Sequence, residues 1–153
     1  MTIIVREATE DDLSQVLALY AQPGLDDGQL LDEAAAREVF AQFKRYPSYR
    51  LFVACEESAP RRVIGTFAML VMHNLAHMGT PSAVVEDVVV DEARRGLGIG
   101  RRMMDEAVAK ARESGCYKLA LSSNQRRTRA HAFYESLGFE RHGVSFVIDP
   151  QSV

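Results

Sequence analysis

The chain has 153 residues, the size of one domain, and its 47% hydrophobic and 25% charged residues are ordinary for a soluble globular protein. Its net charge of −3 argues against nonspecific nucleic-acid binding as its main role. No apolar run approaches the roughly 18 residues that a membrane-spanning helix needs. The N-terminus lacks the features of a signal peptide, and Cys55 and Cys116 have no partner-like spacing. We therefore expect a single cytoplasmic domain, 1–153, with no nucleic-acid or membrane partner.

The first half of the chain predicts a short strand, two helices and a hairpin. After a strand at 5–8, Thr9 is a candidate N-cap for an amphipathic helix over 9–21. A second helix is predicted over about 32–44. Two β-rich runs, 50–55 and 63–71, follow on either side of a turn-like segment and predict antiparallel pairing.

The second half alternates strands and helices. The run 83–90 is almost continuously apolar, as expected for a central strand that is buried on both faces. A helix over about 98–114 and a strand over 117–122 predict a parallel crossover. The last predicted elements are a helix through Leu137, with a Schellman-type stop at Gly138, and a strand over 144–148. The fold class is therefore α/β, a mixed sheet with helices on both faces.

A glycine-rich loop joins the apolar strand to the next helix. Glycines at 96, 98 and 100 can adopt positive φ, and free amides at the start of a helix bind anions. The dinucleotide fingerprint fails, because Arg101 and Met103 stand at its third glycine positions, and no P-loop Gly-Lys-Ser/Thr is present. The loop predicts a pyrophosphate site. The alternative is a flexible loop beside two solvated arginine surfaces, at 94–102 and 126–129.

Two segments together resemble the acetyl-CoA signature of the GNAT superfamily of N-acetyltransferases. The first is Arg95-Gly96-Leu97-Gly98-Ile99-Gly100, which matches the family's Gln/Arg-x-x-Gly-x-Gly/Ala. The second begins at Asn124 after a strand and continues in a helix that carries Phe133-Tyr134 and ends at Gly138-Phe139. The similarity spans roughly 51–148. It implies a GNAT fold with a mostly antiparallel sheet and a central parallel pair.

The resemblance also implies how acetyl-CoA binds. The backbone of the strand end holds the pantetheine arm like an added strand, an N–H near Val88 polarises the thioester carbonyl, and loop amides hold the pyrophosphate. The expected acetyl-CoA-binding residues are Val88, Val89, Val90, Arg95, Gly96, Leu97, Gly98, Ile99, Gly100, Arg101, Asn124 and Tyr134.

Tyr134 is the expected general acid for the leaving thiolate, since a phenol is protonated at neutral pH; packing in the helix's apolar face is its alternative role. A base is needed for an alkyl-ammonium acceptor, and the carboxylates Glu86 and Asp87 stand in an otherwise apolar strand. Their side chains are expected on opposite faces, so that one at most reaches the acceptor. Glu86 is preferred, with a structural salt bridge as the other interpretation.

The acceptor is left open as a primary amine. Glu86–Val90, Gly115–Lys118 and Phe133–Glu135 are similar to glucosamine-6-phosphate N-acetyltransferases, whereas the basic insert through Arg129 is more similar to the aminoalkylphosphonate branch. Both branches take small anionic amines. A protein N-terminal or lysine acetyltransferase and a non-catalytic acyl-CoA sensor are the alternatives, and the resemblance implies that two copies can pair through C-terminal strands.

No metal is expected. His73 and His77 are four residues apart, which suits a metal pair on a helix, but they follow a predicted strand. They are therefore interpreted as surface or substrate-rim histidines.

Overall fold

A five-stranded sheet in the order β1-β2-β3-β4-β5 forms the centre of the fold. The computed structural model describes residues 1–152. The strands are β1 (Ile3–Glu7), β2 (Tyr49–Glu56), β3 (Ala59–Met72), β4 (Ser82–Val90) and β5 (Leu119–Leu121). The pairs from β1 to β4 are antiparallel, and β5 lies parallel to β4. The mixed α/β class predicted from the sequence is confirmed.

Four helices accompany the sheet: α1 (Leu13–Tyr20), α2 (Glu33–Phe43), α3 (Ile99–Glu113) and α4 (Thr128–Ser136). Thr9 is the N-cap of a 3₁₀ turn at Glu10–Asp12 that leads directly into α1, and its N–H donates to the Asp12 carboxylate at 2.8 Å. Asp12 also accepts two hydrogen bonds from the Arg6 guanidinium, at 2.7 and 2.8 Å, which joins β1 to the start of α1. No helix within residues 1–152 is long and apolar enough to cross a bilayer.

The sheet between β1 and β4 has an apolar layer on each face. On one face α1 and α2 pack on Leu51, Val53 and Ala68. The rings of Phe52 and Phe67 stack 5.1 Å apart, and Lys110 of α3 lies over the Phe52 ring. On the α3 side Gly65 leaves no room for a side chain, because a Cβ there would lie 2.9 Å from the Met103 sulfur. Helices therefore cover both faces, as predicted.

The prediction of a final strand over 144–148 is wrong. Residues 139–149 form no helix or strand, and the side chains of Val144, Phe146 and Val147 are 80%, 91% and 97% exposed. Apolar and β-branched residues favour a strand only where another strand offers its backbone hydrogen-bonding edge. Residues 144–148 have the composition of a strand but no neighbouring strand to pair with.

The chain divides into two compact units, the first of which is Met1–Ala120, while the second begins at Leu121. The first unit contains β1 to β4, α1 to α3 and the glycine loop. The second contains α4 and the segment after it. A single domain over 1–153 therefore stays a prediction.

Candidate active site

A β-bulge distorts β4 at the predicted carboxylates. Ala68 of β3 pairs with Glu86, whereas Thr66, two residues earlier, pairs with Val89, so that β4 carries one residue more than β3 across this interval. Asp87 takes up the extra length with a φ of 52°. Such a positive φ is strained for a residue with a side chain, and bulges of this kind re-aim side chains beside functional sites.

The bulge removes the basis for expecting Glu86 and Asp87 on opposite faces, which stays a prediction. Strict alternation holds only in a regular strand, and the insertion at Asp87 interrupts it. Burial, followed by the charges of Asp87 and Glu86, raises the pKa of the Tyr49 phenol. The charges of both carboxylates therefore contribute to the raised pKa of Tyr49. The expectation that 83–90 is buried on both faces is also wrong, since both carboxylates are exposed and the three valines after them are half-buried.

Asp87 differs from an ordinary surface carboxylate. Although its side chain is exposed, the desolvation caused by the surrounding protein, followed by the charge of Asp26, raises the pKa of its carboxyl. The Tyr20 phenol at the end of α1 has a pKa raised by burial and then by Asp87. Desolvation and nearby like charge both disfavour an anion, so this carboxyl takes up a proton more readily than a solvated one.

The glycine loop presents free backbone amides. Gly96 and Gly98 have φ values of 80° and 81°, and an added Cβ at either position would meet nothing within 4 Å. Gly98 precedes the first residue of α3, and the Arg102 N–H donates to the Gly98 carbonyl at 3.0 Å. The amides of 99–101 therefore have no partner in the preceding turn of the helix. Open space, positive φ and unpaired N–H groups suit a bound pyrophosphate.

The arginines around this loop divide into two kinds. Arg94 donates to the half-buried carboxylate of Glu56, and Arg102 donates to Glu106 at 2.9 Å. Arg95 is exposed and lies 3.8 Å from Glu92, a weak surface pair. Arg101 is exposed and forms no ion pair within residues 1–152. Arg95 and Arg101 are therefore the cations that an anion on the loop would meet.

The outer edge of β4 carries the groups that the resemblance assigned to the pantetheine arm. β4 has nine residues and β5 only three, so β5 can pair with only part of β4. The Asp91 N–H donates to Ile64 of β3 at 2.9 Å. Because successive residues of a strand point their backbone groups to alternate sides, those of Val90 face away from β3 and those of Val89 face towards it.

In the second unit, Asn124 and Tyr134 belong to the start and the end of α4. The Asn124 side chain accepts from the Arg126 N–H at 2.9 Å, and its carbonyl accepts from the Arg127 N–H at the same distance. Asn124 thus shapes the turn that begins the helix. The arginines predicted to meet an anionic acceptor, Arg126, Arg127 and Arg129, are all exposed.

Tyr134 is half-buried between two aromatic rings, with Phe133 at 5.2 Å and Phe139 at 5.8 Å. The helix stops as predicted. The N–H of Phe139 donates to the Tyr134 carbonyl, and that of Gly138 donates to Glu135, which is the Schellman pattern. Burial raises the pKa of the Tyr134 phenol, and the charge of Arg127 partly offsets the rise. The phenol is therefore protonated throughout the neutral range.

The remaining predicted residues lie apart from these features. His73 and His77 are exposed, and the His77 ring packs on Tyr117 at 4.3 Å. Within residues 1–152 no cluster of three metal-ligating side chains is present. Cys55 and Cys116 are free thiols, and burial raises the pKa of both.

Sequence reasoning missed three residues of the first unit. Tyr20 and Tyr49 are drawn beside the bulge by the packing of α1 and β2. Gln22 donates to the Val90 carbonyl and accepts from the Glu92 N–H. Their partners are distant in sequence, and no local pattern marks such contacts.

Comparison with known proteins identifies the family. The sequence profile of the acetyltransferase (GNAT) family matches residues 13–139. A glucosamine 6-phosphate N-acetyltransferase of Trypanosoma brucei brucei is 29% identical over 145 residues, which are 95% of this chain and 94% of that protein. An aminoalkylphosphonate N-acetyltransferase of Salmonella typhimurium is 29% identical over 144 residues, 93% of this chain and 88% of that one.

Among solved structures, a protein of Agrobacterium tumefaciens superposes with a TM-score of 0.86 at 34% identity, covering 95% of this chain and 99% of its own. The profile match covers most of the chain and includes the bulged strand, the glycine loop and α4. The chain therefore belongs to the GNAT acetyltransferase family. It is an N-acetyltransferase, and the similarity to both predicted branches is confirmed.

Proposed function

We propose that the protein transfers the acetyl group of acetyl-CoA directly to the primary amine of a small anionic molecule. The observation that carries this proposal is the glycine loop, which follows the bulged end of β4 and opens α3 with two glycines at positive φ. The activities for which the two relatives are named, on glucosamine 6-phosphate and on aminoalkylphosphonates, supply the acceptor class. Both compounds combine a primary amine with a phosphorus oxyanion.

Acetyl-CoA suits the residues of this site. The unpaired amides of 99–101, with those of Gly96 and Gly98, would hold the pyrophosphate. Arg95 and Arg101 are free to reach its other phosphate. The backbone edge at Val88 and Val90 would hold the amide-bearing arm in the manner of an added strand. Acetyl-CoA supplies the activated acetyl group as a thioester.

The acceptor must lose a proton before its nitrogen can attack. We assign this step to Asp87, because its carboxyl lies at the bulge and its raised pKa makes it a better base than a solvated carboxylate. The nitrogen forms a bond to the acetyl carbon while the carbon–sulfur bond breaks. An N–H near Val88 would stabilise the negative charge that develops on the carbonyl oxygen. Glu86 stays as the alternative base.

The thiolate that leaves needs a proton, and we assign its delivery to Tyr134. Burial raises the pKa of this phenol, so it is protonated at neutral pH and can donate a proton to the thiolate. The exposed arginines at 126, 127 and 129 would attract the phosphate or phosphonate of the acceptor. In total the ammonium loses two protons: one to the base before attack, which is then released to solvent, and one from the nitrogen as the carbon–sulfur bond breaks, which balances the proton that Tyr134 delivers to the thiolate.

The test is release of the CoA thiol from acetyl-CoA in the presence of separate amines. The panel contains glucosamine 6-phosphate, 2-aminoethylphosphonate, the uncharged sugar glucosamine, a polyamine and an N-terminal peptide. Saturable turnover with a phosphorylated or phosphonylated amine, and at least about tenfold lower kcat/KM with glucosamine, is the expected result. Turnover only with the peptide would favour a protein acetyltransferase. Tight acetyl-CoA binding without turnover on any amine would favour a sensor.

A homodimer is the second part of the proposal. The exposed apolar side chains of Val144, Phe146 and Val147 support pairing of two copies through this segment, as the resemblance implies. Light scattering of the full chain should give twice the chain mass, and a Phe146→Ser variant should shift it towards the monomer. A monomeric wild-type protein at micromolar concentration would remove this part of the proposal.

A further inference from the structure

Gln22 links the end of α1 to the end of β4. Its side-chain Nε2 donates to the Val90 carbonyl at 3.1 Å, and its Oε1 accepts from the Glu92 N–H at 2.8 Å. Both functions of the amide are therefore used on one short stretch of backbone. That stretch is the connection between the bulged strand and the glycine loop.

The bond to Val90 lies on the side of β4 that faces away from β3. The Asp91 N–H donates inward to Ile64, so the carbonyl and N–H of Val90 point outward. Gln22 thus occupies the last outward carbonyl of the strand and leaves the Val90 N–H available. The same side chain holds the Glu92 N–H, at the first residue of the 3₁₀ turn Glu92–Arg94 that leads to Arg95 and Gly96.

The backbone around Gln22 is itself held in place. The Gln22 N–H donates to the Leu19 carbonyl at 3.2 Å, and the Gly28 N–H returns to the Ala21 carbonyl at 2.7 Å. The Asp26 N–H also donates to the Tyr20 carbonyl at 2.9 Å. The glutamine therefore projects from an ordered turn, and little side-chain freedom remains to be lost when a ligand binds.

We propose that Gln22 is a positioning residue for acetyl-CoA. It orients the strand edge at Val88–Val90 and the start of the glycine loop, so that the two groups of amides are presented to one ligand. This inference rests on the proposed function, because the ligand it concerns is acetyl-CoA. Gln22 acts through the backbone of Val90 and Glu92 and needs no contact with the ligand itself.

Gln15, within α1, provides a matched control. Its Nε2 donates to the Arg61 carbonyl at 2.8 Å, and its Oε1 accepts from the Val63 N–H at 3.0 Å. Like Gln22, it is therefore a glutamine whose amide makes one donated and one accepted bond to distant backbone. The bonded backbone belongs to the start of β3, outside the strand end and the loop assigned to acetyl-CoA.

The experiment compares Gln22→Met with Gln15→Met, since methionine keeps the chain length and loses both hydrogen bonds. Thermal unfolding without ligand and calorimetric titration with acetyl-CoA are measured for each variant and for the wild type. We expect similar losses of Tm in the two variants. The Kd for acetyl-CoA should rise about tenfold in Gln22→Met and stay within about twofold of the wild type in Gln15→Met.

An unchanged Kd in Gln22→Met, or an equal rise in both variants, would overturn the inference while leaving the proposed function in place. A wild-type protein that does not bind acetyl-CoA would overturn the proposed function and the inference with it. Gln22→Glu serves if the methionine variant unfolds. It can still accept from Glu92 but sets an oxygen against the Val90 carbonyl, so its Kd should also rise, and a wild-type Kd would count against the inference.

Discussion

Tyr134 is the residue on which proton delivery to the thiolate depends. Replacement by phenylalanine keeps the ring that packs against Phe133 and Phe139 and removes only the hydroxyl. We expect kcat to fall about 100-fold, the lower range for loss of a general acid, with little change in the KM for acetyl-CoA. Steady-state thiol release with the best amine of the panel measures both constants.

Tyr117→Phe is the control for this substitution, because Tyr117 is exposed and packs on His77. It should retain wild-type kinetics. Burial raises the pKa of Tyr134, so the wild-type rate should show no descending limb below about pH 10. Equal kcat values for Tyr134→Phe and the wild type would remove the phenol from the mechanism.

Asp87 combines an expected catalytic role with a cost to stability. Its folded pKa is raised, so the folded state binds the proton more tightly than the unfolded state, and stability falls as pH rises through that window. At neutral pH the charged form is therefore disfavoured by folding. Asparagine removes the charge and tolerates the positive φ at this position.

Asp87→Asn should consequently lower kcat/KM about 100-fold while raising Tm slightly, by about 1 °C for a domain of this size. The acidic limb of the pH–rate profile should disappear in this variant. Glu86→Gln is the comparison and should retain the limb. Loss of the limb in Glu86→Gln, with normal activity in Asp87→Asn, would transfer the base role to Glu86.

At the scale of single elements, α3 offers a test of the glycine loop that separates ligand binding from folding. Gly98 precedes the helix with φ of 81°, and Gly115 follows it with φ of 73°. A Cβ added at either position would meet no atom within 4 Å. Alanine at either position is strained by roughly 1–2 kcal/mol, the usual penalty of left-handed backbone.

Gly98→Ala and Gly115→Ala should therefore lose similar stability in denaturant titrations. Only Gly98→Ala should weaken acetyl-CoA binding, because its amide and those after it are the ones assigned to the pyrophosphate. A weaker Kd in both variants, or in neither, would contradict the assignment of the loop.

The elements also show what can be learned from sequence. The Thr9 cap, the Schellman stop at Gly138 and the glycines that open α3 depend on a few adjacent residues, and each was predicted correctly. The bulge at Asp87 depends on the register of β4 against β3, and the strand predicted at 144–148 needs a partner. Neither condition is written in the local pattern, so the bulge was not predicted and the predicted strand is wrong.

The residues of the candidate site likewise fall into those that local sequence predicts and those that depend on distant partners. Its glycine loop and Tyr134 are recognisable from motif spacing. Gln22, in contrast, bonds to Val90 and Glu92, which lie 68 and 70 positions further along the chain. Arg95 and Arg101, which are exposed, become distinct from the more firmly paired Arg94 and Arg102 only when Glu56 and Glu106 are placed beside the latter two.

At the scale of the whole molecule, the family profile extends over both compact units. The first unit carries the amides, the proposed base and Gln22, and the second carries Tyr134 and the three exposed arginines. The residues assigned to the proposed activity therefore come from both units.

Calorimetric titration of the full chain with acetyl-CoA tests the proposed ligand directly, with NAD⁺ as a second pyrophosphate-containing compound. We expect saturation at one acetyl-CoA per chain and at least about tenfold weaker binding of NAD⁺, which lacks the pantetheine arm. Absence of saturable acetyl-CoA binding, or equal affinity for NAD⁺, would contradict the assignment of the glycine loop and the β4 edge to acetyl-CoA.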